Sequence, residues 1–239
     1  MQRILADEQL KAFYHDEFVE DQVRDFWALI GGRQCGVVAD LGGGCGYFAQ
    51  GLRASGHCEA RVIDLDPASV EACRRAGVPA RIGDALDPPL QGDEELASFN
   101  LILHHLVGGS ERITRDLQRT ALSRLQGRVS GIFVNEYIYE SYAGRVSGWL
   151  IFQITKSKVL SAIGRAISSV VPSLKANTFG VGVRFRSHDE WREIFEEAGY
   201  CVKSCVKGRG EPVSLARRLL LIKQIRRDSF LLVPRELHG

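Results

Sequence analysis

The sequence predicts an α/β fold built on one doubly wound sheet of seven strands, mostly parallel with the last strand antiparallel. Three observations carry this. Short apolar runs alternate with helical patterns from residue 36 to 138, which in a compact chain means parallel strands covered by helices on both faces. Glycines 42, 43, 44 and 46 follow at once on the first run, in VVADLGGGCG. Bare backbone costs conformational entropy, so it must serve a tight turn or a close-lying ligand there. Near the C-terminus two apolar stretches lie close enough in sequence to pair antiparallel at a sheet edge.

Taken in order, residues 1–30 are expected to form two short helices. Leu5, Leu10, Phe13, Phe18, Val19, Val23, Phe26, Trp27 and Ile30 recur at helical spacing, and Gly31-Gly32 ends the second. GVVAD (36–40) reads as a strand and YFAQGLRA (47–54) as a helix. CEARVID (58–64) is the second strand and PASVEACRRAG (67–77) a helix, with Pro67 suited to its first turn and Asp66 to its cap. ARIGD (80–84) is a short strand, Pro88-Pro89 breaks the chain, and FNLILH (99–104) is the fourth strand. A helix over 109–127 leads to the fifth strand, VSGIFVNEYI (129–138). HDEWREIFEEAG (188–199) is a helix, and strands are expected near 200–206 and 218–225.

The segment 141–186 is too long for an ordinary connection. It holds the aromatic-bearing apolar run GWLIFQITKSKVLSAIGRAISSVV, and it has no acid. A helical lid is expected there. The chain then divides into an N-terminal helical cap (1–32), a core (33–140 and 185–239) and a lid insertion (141–184), forming one compact unit.

Composition narrows the class. With 239 residues, 45% hydrophobic and 25% charged, the chain suits a single well-filled domain. A net charge of +2 argues against a dedicated nucleic-acid binder. Cys35, Cys45, Cys58, Cys73, Cys201 and Cys205 form no CxxC pair and no Cys/His metal spacing. No metal site is expected, and reduced thiols suit a cytoplasmic protein. No run reaches the ~18 apolar residues of a transmembrane segment, and MQRILADEQLKAFYHDEF lacks a signal-peptide core.

Two glycine patterns overlap in the first loop. Gly44-Cys45-Gly46-Tyr47-Phe48-Ala49 satisfies G-x-G-x-x-A, the dinucleotide form. Asp40-Leu41-Gly42-Gly43-Gly44-Cys45-Gly46 is the D-x-G-x-G-x-G order, which resembles the first motif of class I S-adenosylmethionine-dependent methyltransferases of the small-molecule type. The resemblance covers about 36–140 and 185–225. It implies a Rossmann-like fold, S-adenosylmethionine as cofactor and S-adenosylhomocysteine as product. By that resemblance Gly42, Gly43, Gly44 and Gly46 pass under the methionyl and ribose parts, and Asp40 accepts from the ammonium. Asp64, ending the second strand, accepts from the ribose hydroxyls, and Leu65 stacks on adenine. In GDALD (83–87), Asp84 accepts from the adenine amino group and Ala85 offers its N–H. Tyr14, in the N-terminal helices, touches the cofactor. FNLILHHLVGG and FRSHDEWREIFEEAGYCV look like the family's fourth strand with its loop and its last helix with the following strand. Two features depart from the family: Asn100 stands where an acid is usual, and the N/D-PP-Y signature of many amino-directed enzymes is absent.

Methyl transfer from a sulfonium needs alignment and exclusion of water, with a base only if the acceptor arrives protonated. His105 is the first candidate for base or substrate ligand, with His104 nearer the cofactor. Glu136 lies on the fifth strand with Tyr137, Tyr139 and Glu140 close by. The expected activity is methylation of a small molecule, such as one of secondary metabolism, at a hydroxyl or carboxylate oxygen. Nitrogen or carbon methylation stays open. So do an NAD(P)-dependent oxidoreductase, a non-catalytic cofactor binder and an RNA methyltransferase. The oxidoreductase lacks a Tyr-x-x-x-Lys pair at Tyr137, Tyr139 or Tyr142. In the lid, Arg145, Lys156, Lys158, Arg165, Lys175, Arg184 and Arg186 are expected to draw an anionic substrate under Trp149, Phe152 and Phe179. Otherwise the basic amphipathic stretch faces an anionic membrane surface or a partner subunit, as in a homodimer through the lid. Thr178–Gly182 is a candidate hinge.

Overall fold

Side-chain alternation along each strand organises the sheet. In the computed structural model, which describes residues 18–170 and 182–235, the first strand β1 (Val37–Leu41) sends Val38 and Asp40 to one face and Ala39 and Leu41 to the other. All four are buried, as a strand covered on both sides requires. Before it lies α1 (Val19–Leu29). After it come α2 (Tyr47–Ala54), β2 (Glu59–Asp64), α3 (Pro67–Arg75), β3 (Ala80–Ile82) and β4 (Glu94–Asn100). A 3-10 turn (Leu103–His105) leads to α4 (Glu111–Ser123) and β5 (Gly131–Ser141). The segment expected to form a lid supplies α5 (Val146–Lys156) and α6 (Lys158–Val170), and after it come α7 (His188–Glu197), β6 (Tyr200–Lys207), α8 (Leu215–Arg218) and β7 (Ile222–Pro234).

The seven strands run β3-β2-β1-β4-β5-β7-β6. β1 pairs parallel with both β2 and β4, while β7 is antiparallel to both β5 and β6. The strand order reverses direction between β1 and β4, the switch point outside which ligands of open α/β sheets bind. Wedging an antiparallel strand between the fifth and sixth departs from the all-parallel dinucleotide order. One face packs Phe26, Phe48, Leu52 and Cys73 from α1, α2 and α3 against Val38, Val62 and Phe133. The other packs Ala121 and Leu122 of α4 and Trp191, Ile194 and Phe195 of α7 against Leu41, Phe99, Val134, Ile138 and Phe230. Among the described residues no helix is long and apolar enough to cross a membrane.

Local rules set the helix starts. Asp66 accepts from the amides of Ala68 and Ser69 at 3.3 and 2.8 Å, with Pro67 at the first helical position of α3. Ser187 and Glu190 form a capping box at α7.

Two strands sit elsewhere than the sequence pattern predicts. The fourth is 94–100, not 99–104. Its charged start is tolerated because Glu94 accepts from Arg61 and from the amides of Gln91 and Gly92, and Glu95 from Arg33 and the Gly36 amide. The apolar residues beyond it belong to the buried turn that begins at Leu101, a non-glycine residue at φ 54. The last strand is 222–234, not 218–225. Its charged middle is satisfied by ion pairs of Arg226 with Asp228 and Glu140, and of Arg227 with Glu211. The first expected helix, Tyr14, Lys175, Phe179 and most of the Thr178–Gly182 hinge lie outside the described residues.

Candidate functional site

The glycine loop starts where β1 leaves the sheet. The Gly42 amide continues the sheet by donating to the Ile63 carbonyl at 2.7 Å. Gly46 caps α2 at φ 78, and a Cβ there would stand 2.9 Å from the Cys73 thiol. That thiol donates to the Gly44 carbonyl at 3.1 Å, holding the loop from below. Gly44 has φ 53, and among the described residues, its chain neighbours aside, no atom lies within 4 Å of where its Cβ would be. The loop therefore needs glycine at 46 for packing, and at 44 for backbone conformation beside open space.

Two carboxylates from the same face of the sheet flank this loop. Asp64, half-buried at the end of β2, accepts from the Gly44 amide at 2.9 Å through Oδ2 and from the Asp66 amide at 2.8 Å through Oδ1. Burial raises its pKa, and those two amides pull it back down. Asp40 is fully buried. Its Oδ1 accepts from the Ser98 hydroxyl at 2.7 Å and the Asn100 amide at 3.0 Å. Its Oδ2 lies against Gly43, with no hydrogen-bond partner among the described residues. Desolvation lifts its pKa to about 6 despite the two donors. Leu65 is half-buried. Asp84 lies two residues beyond β3, where Oδ1 accepts from the Leu86 amide at 2.9 Å, and Ala85 is packed into the core.

On the opposite face, β5 and the 3-10 turn build a second polar group. Glu136 is fully buried. Its Oε1 accepts from the Leu103 amide at 2.6 Å, and its Oε2 lies 2.7 Å from His104 Nδ1. A carboxylate that already accepts from backbone N–H groups must accept again, so His104 carries its proton on Nδ1 and presents Nε2 as an acceptor. The Gln118 amide steadies the turn by donating to the Leu103 carbonyl at 3.0 Å. His105 lies beside His104 with ring centroids 4.1 Å apart and planes tilted by 39°. Burial first, and the neighbouring imidazole second, hold its pKa well below 6.5.

The return of the lid, residues 182–187, runs along β5. The Tyr139 amide donates to the Arg186 carbonyl at 2.9 Å, and the Arg184 amide to the His104 carbonyl at 2.9 Å. This stacks Phe185 on Tyr139 at 4.2 Å and on His104 at 4.9 Å. The arginines of this return do not face a substrate. Arg184 and Arg186 are buried, both paired with Glu111 and Glu190. Arg145 pairs with Glu193, and Lys156 donates to the Gly109 carbonyl. Trp149 is exposed, and Phe152 is buried.

Asp40, the glycines and Asp64 thus come together around one loop, while His104, His105 and Glu136 form a separate cluster at the same end of the sheet. Ser98 and Phe185 went unrecognised in the sequence. Ser98 and Asn100 are a period-2 polar pair ending an apolar strand, a signal visible once β4 is placed at 94–100. Phe185 has no local signal, because only the return of the lid brings it to His104.

No protein-family model matches this sequence, and no curated protein matches it. Solved structures do match its fold. The mitomycin 7-O-methyltransferase MmcR superposes with TM-score 0.58 at 13% identity, over 91% of this chain and 54% of that one. The MccD protein gives 0.59 at 11% identity, over 90% and 97%. Magnesium protoporphyrin IX methyltransferase (ChlM) from Synechocystis PCC 6803, solved with bound SAH, gives 0.54 at 13% identity, over 99% and 90%. The chain spans about half the length of the mitomycin enzyme. With its strand order and its glycine loop at the switch point, the chain has the Rossmann-like fold of the class I S-adenosylmethionine-dependent methyltransferases.

Proposed function

We propose that the chain is an S-adenosylmethionine-dependent methyltransferase acting on a small molecule, with a hydroxyl or carboxylate oxygen as the favoured acceptor and the cytoplasm as its compartment. The observation that carries this reading is Asp64. Each of its oxygens spends one acceptor position on a loop amide, which leaves one on each for a pair of neighbouring hydroxyls. The open space over Gly44 and the Asp40 oxygen without a partner, both among the described residues, fit a cofactor with a sugar and a cationic end.

Bound there, S-adenosylmethionine supplies a methyl group already activated by its sulfonium. The protein supplies position and a proton acceptor. Asp64 would hold the ribose, the glycine loop would line the methionyl part, and Leu65 and the Asp84–Ala85 turn would border the adenine. His104 Nε2 takes the proton of an acceptor hydroxyl, and Glu136 stabilises the imidazolium that forms. This reverses the order expected from sequence, because His104 is the histidine with a carboxylate behind it. His105, kept neutral by burial, serves as substrate ligand. The mitomycin enzyme's name, a 7-O-methyltransferase, supports oxygen as acceptor.

Thermal melts test the assignment. S-adenosylmethionine or S-adenosylhomocysteine at 100 times its Kd should stabilise the protein by about 2.7 kcal/mol. Asp64→Ala should weaken binding at least about tenfold, given roughly 1.5–3 kcal/mol per charge-assisted bond. Stabilisation by NAD or NADP alone would overturn the reading.

A further inference from the structure

The first part of helix α6 is turned inside out. Amphipathic helices of globular domains set their apolar stripe against the core. Over the first six residues of α6, only Ser161 is buried, donating to the Ile154 and Thr155 carbonyls at 2.9 and 3.1 Å. Val159, Leu160 and Ile163 lie on the far side at spacing i, i+1, i+4, and are 69%, 42% and 50% exposed. Ile167 and Val170 continue the same spacing in sequence. A second pair of apolar prongs stands on α8 and its end, with Leu215 and Leu219 83% and 84% exposed. Tyr142 and Leu221 adjoin α8. Tyr142 donates its amide to the Leu221 carbonyl at 2.9 Å and accepts from Arg218 at its hydroxyl at 3.3 Å. These segments leave and re-enter the sheet where β5 ends and β7 begins, the end that carries the candidate site.

The charge around these prongs has one sign. The sequence of α6 contains Lys158 and Arg165 and no carboxylate, and 141–186 contains none at all. Lys158, Arg218 and Lys223 are exposed. The acids flanking α8 and the end of β5 are engaged, Glu211 with Arg227 and Glu140 with Arg226. Arg184 and Arg186 are neutralised inside the fold and Arg145 is paired with Glu193 at the surface, so the positive rim rests on the other cations.

We infer that this apolar, cationic rim docks the protein on an anionic lipid surface. Separate protruding prongs on different elements suit a fluid interface, which adapts to each of them. A protein partner would need a matched pocket for every one. Cations beside the prongs meet anionic headgroups while the apolar side chains enter the acyl boundary. Docking needs neither the cofactor nor methyl transfer.

The test is flotation of the full-length chain with two vesicle types, phosphatidylcholine alone and phosphatidylcholine mixed equally with phosphatidylglycerol. Binding to the mixed vesicles is expected, at least about tenfold weaker to the neutral ones and weakened by added salt. Val159→Ser with Ile163→Ser, and separately Leu215→Ser with Leu219→Ser, should each lower partition about tenfold or more, with unchanged melting by circular dichroism. No binding to anionic vesicles would overturn the inference. So would equal binding to neutral ones, or a dimer in sedimentation that Val159→Ser with Ile163→Ser dissociates.

Discussion

A carboxylate that no solvent reaches costs stability whenever it is ionised, and Asp40 is such a group. In the folded chain it binds its proton near pH 6, against an ordinary 3.8. The folded state therefore holds the extra proton between those values. Stability falls as pH rises through that window, by about 3 kcal/mol once pH exceeds 6. Asp40→Asn removes this titration and keeps an acceptor for Ser98. In urea melts the variant should be more stable than its parent at pH 7.5, by roughly 1–3 kcal/mol, with the gap closing toward pH 4. A gap independent of pH would refute the assignment. His105 acts with the opposite sign, since a lowered pKa loses stability as pH falls below 6.5, but it cancels in the difference between the two proteins. At the second cluster, His104→Ala should slow turnover by about 10²–10⁴-fold while cofactor affinity by calorimetry stays within about twofold, its bonds being made elsewhere. Glu136→Gln should slow turnover less and shift the pH profile, because it disturbs the tautomer and not the ring. Affinity lost in parallel with turnover would place His104 in the cofactor site instead. Both histidines and Glu136 were legible as residues in the sequence. Their pairing was not, since 31 residues intervene between His104 and Glu136 and only strand register joins them.

At the scale of an element, the glycine loop separates two reasons for the same residue. Gly44 and Gly46 both have left-handed φ, 53 and 78, so alanine at either costs roughly 1–2 kcal/mol. Gly46→Ala also drives a Cβ into the Cys73 thiol and should lose about 1–3 kcal/mol more from overpacking. Gly44→Ala meets no described residue beyond its chain neighbours. Its larger effect should fall on cofactor affinity, because the new methyl enters the open space beside Asp64. Denaturant melts and calorimetry on the two variants give the comparison. Equal stability loss with unchanged affinity for Gly44→Ala would move the ligand off this loop. The loop was readable from sequence because its constraints are local. β4 was not. Its charged start looks unlike a strand until Arg33 and Arg61 neutralise it, and the apolar turn after it looks more like a strand than the strand does.

Across the whole molecule, buried ion pairs tie the lid to the core. Arg184 and Arg186 return from the lid and bond Glu111 of α4 and Glu190 of α7, with Arg186 also donating to Gln118 at 2.7 Å. Arg186→Met would leave buried Glu190 and partly exposed Glu111 to Arg184 alone and should destabilise by about 1.5–3 kcal/mol, lowering Tm by roughly 3–12 °C for a domain of this size. An unchanged Tm would mean that apolar packing alone secures the lid return. The amino-acid order alone determined the alternating α/β pattern, the glycine loop, Asp64 at the end of its strand and a helical insertion free of acids. Each of these depends on neighbours within a few residues, where chain geometry leaves few alternatives. Tertiary structure alone decided that Arg184 and Arg186 face inward to glutamates and not outward to substrate, that His104 has the carboxylate, and that Val159, Leu160 and Ile163 of α6 lie uncovered. Charge and hydropathy say what a side chain prefers to meet, but which partner reaches it is settled only when distant segments pack.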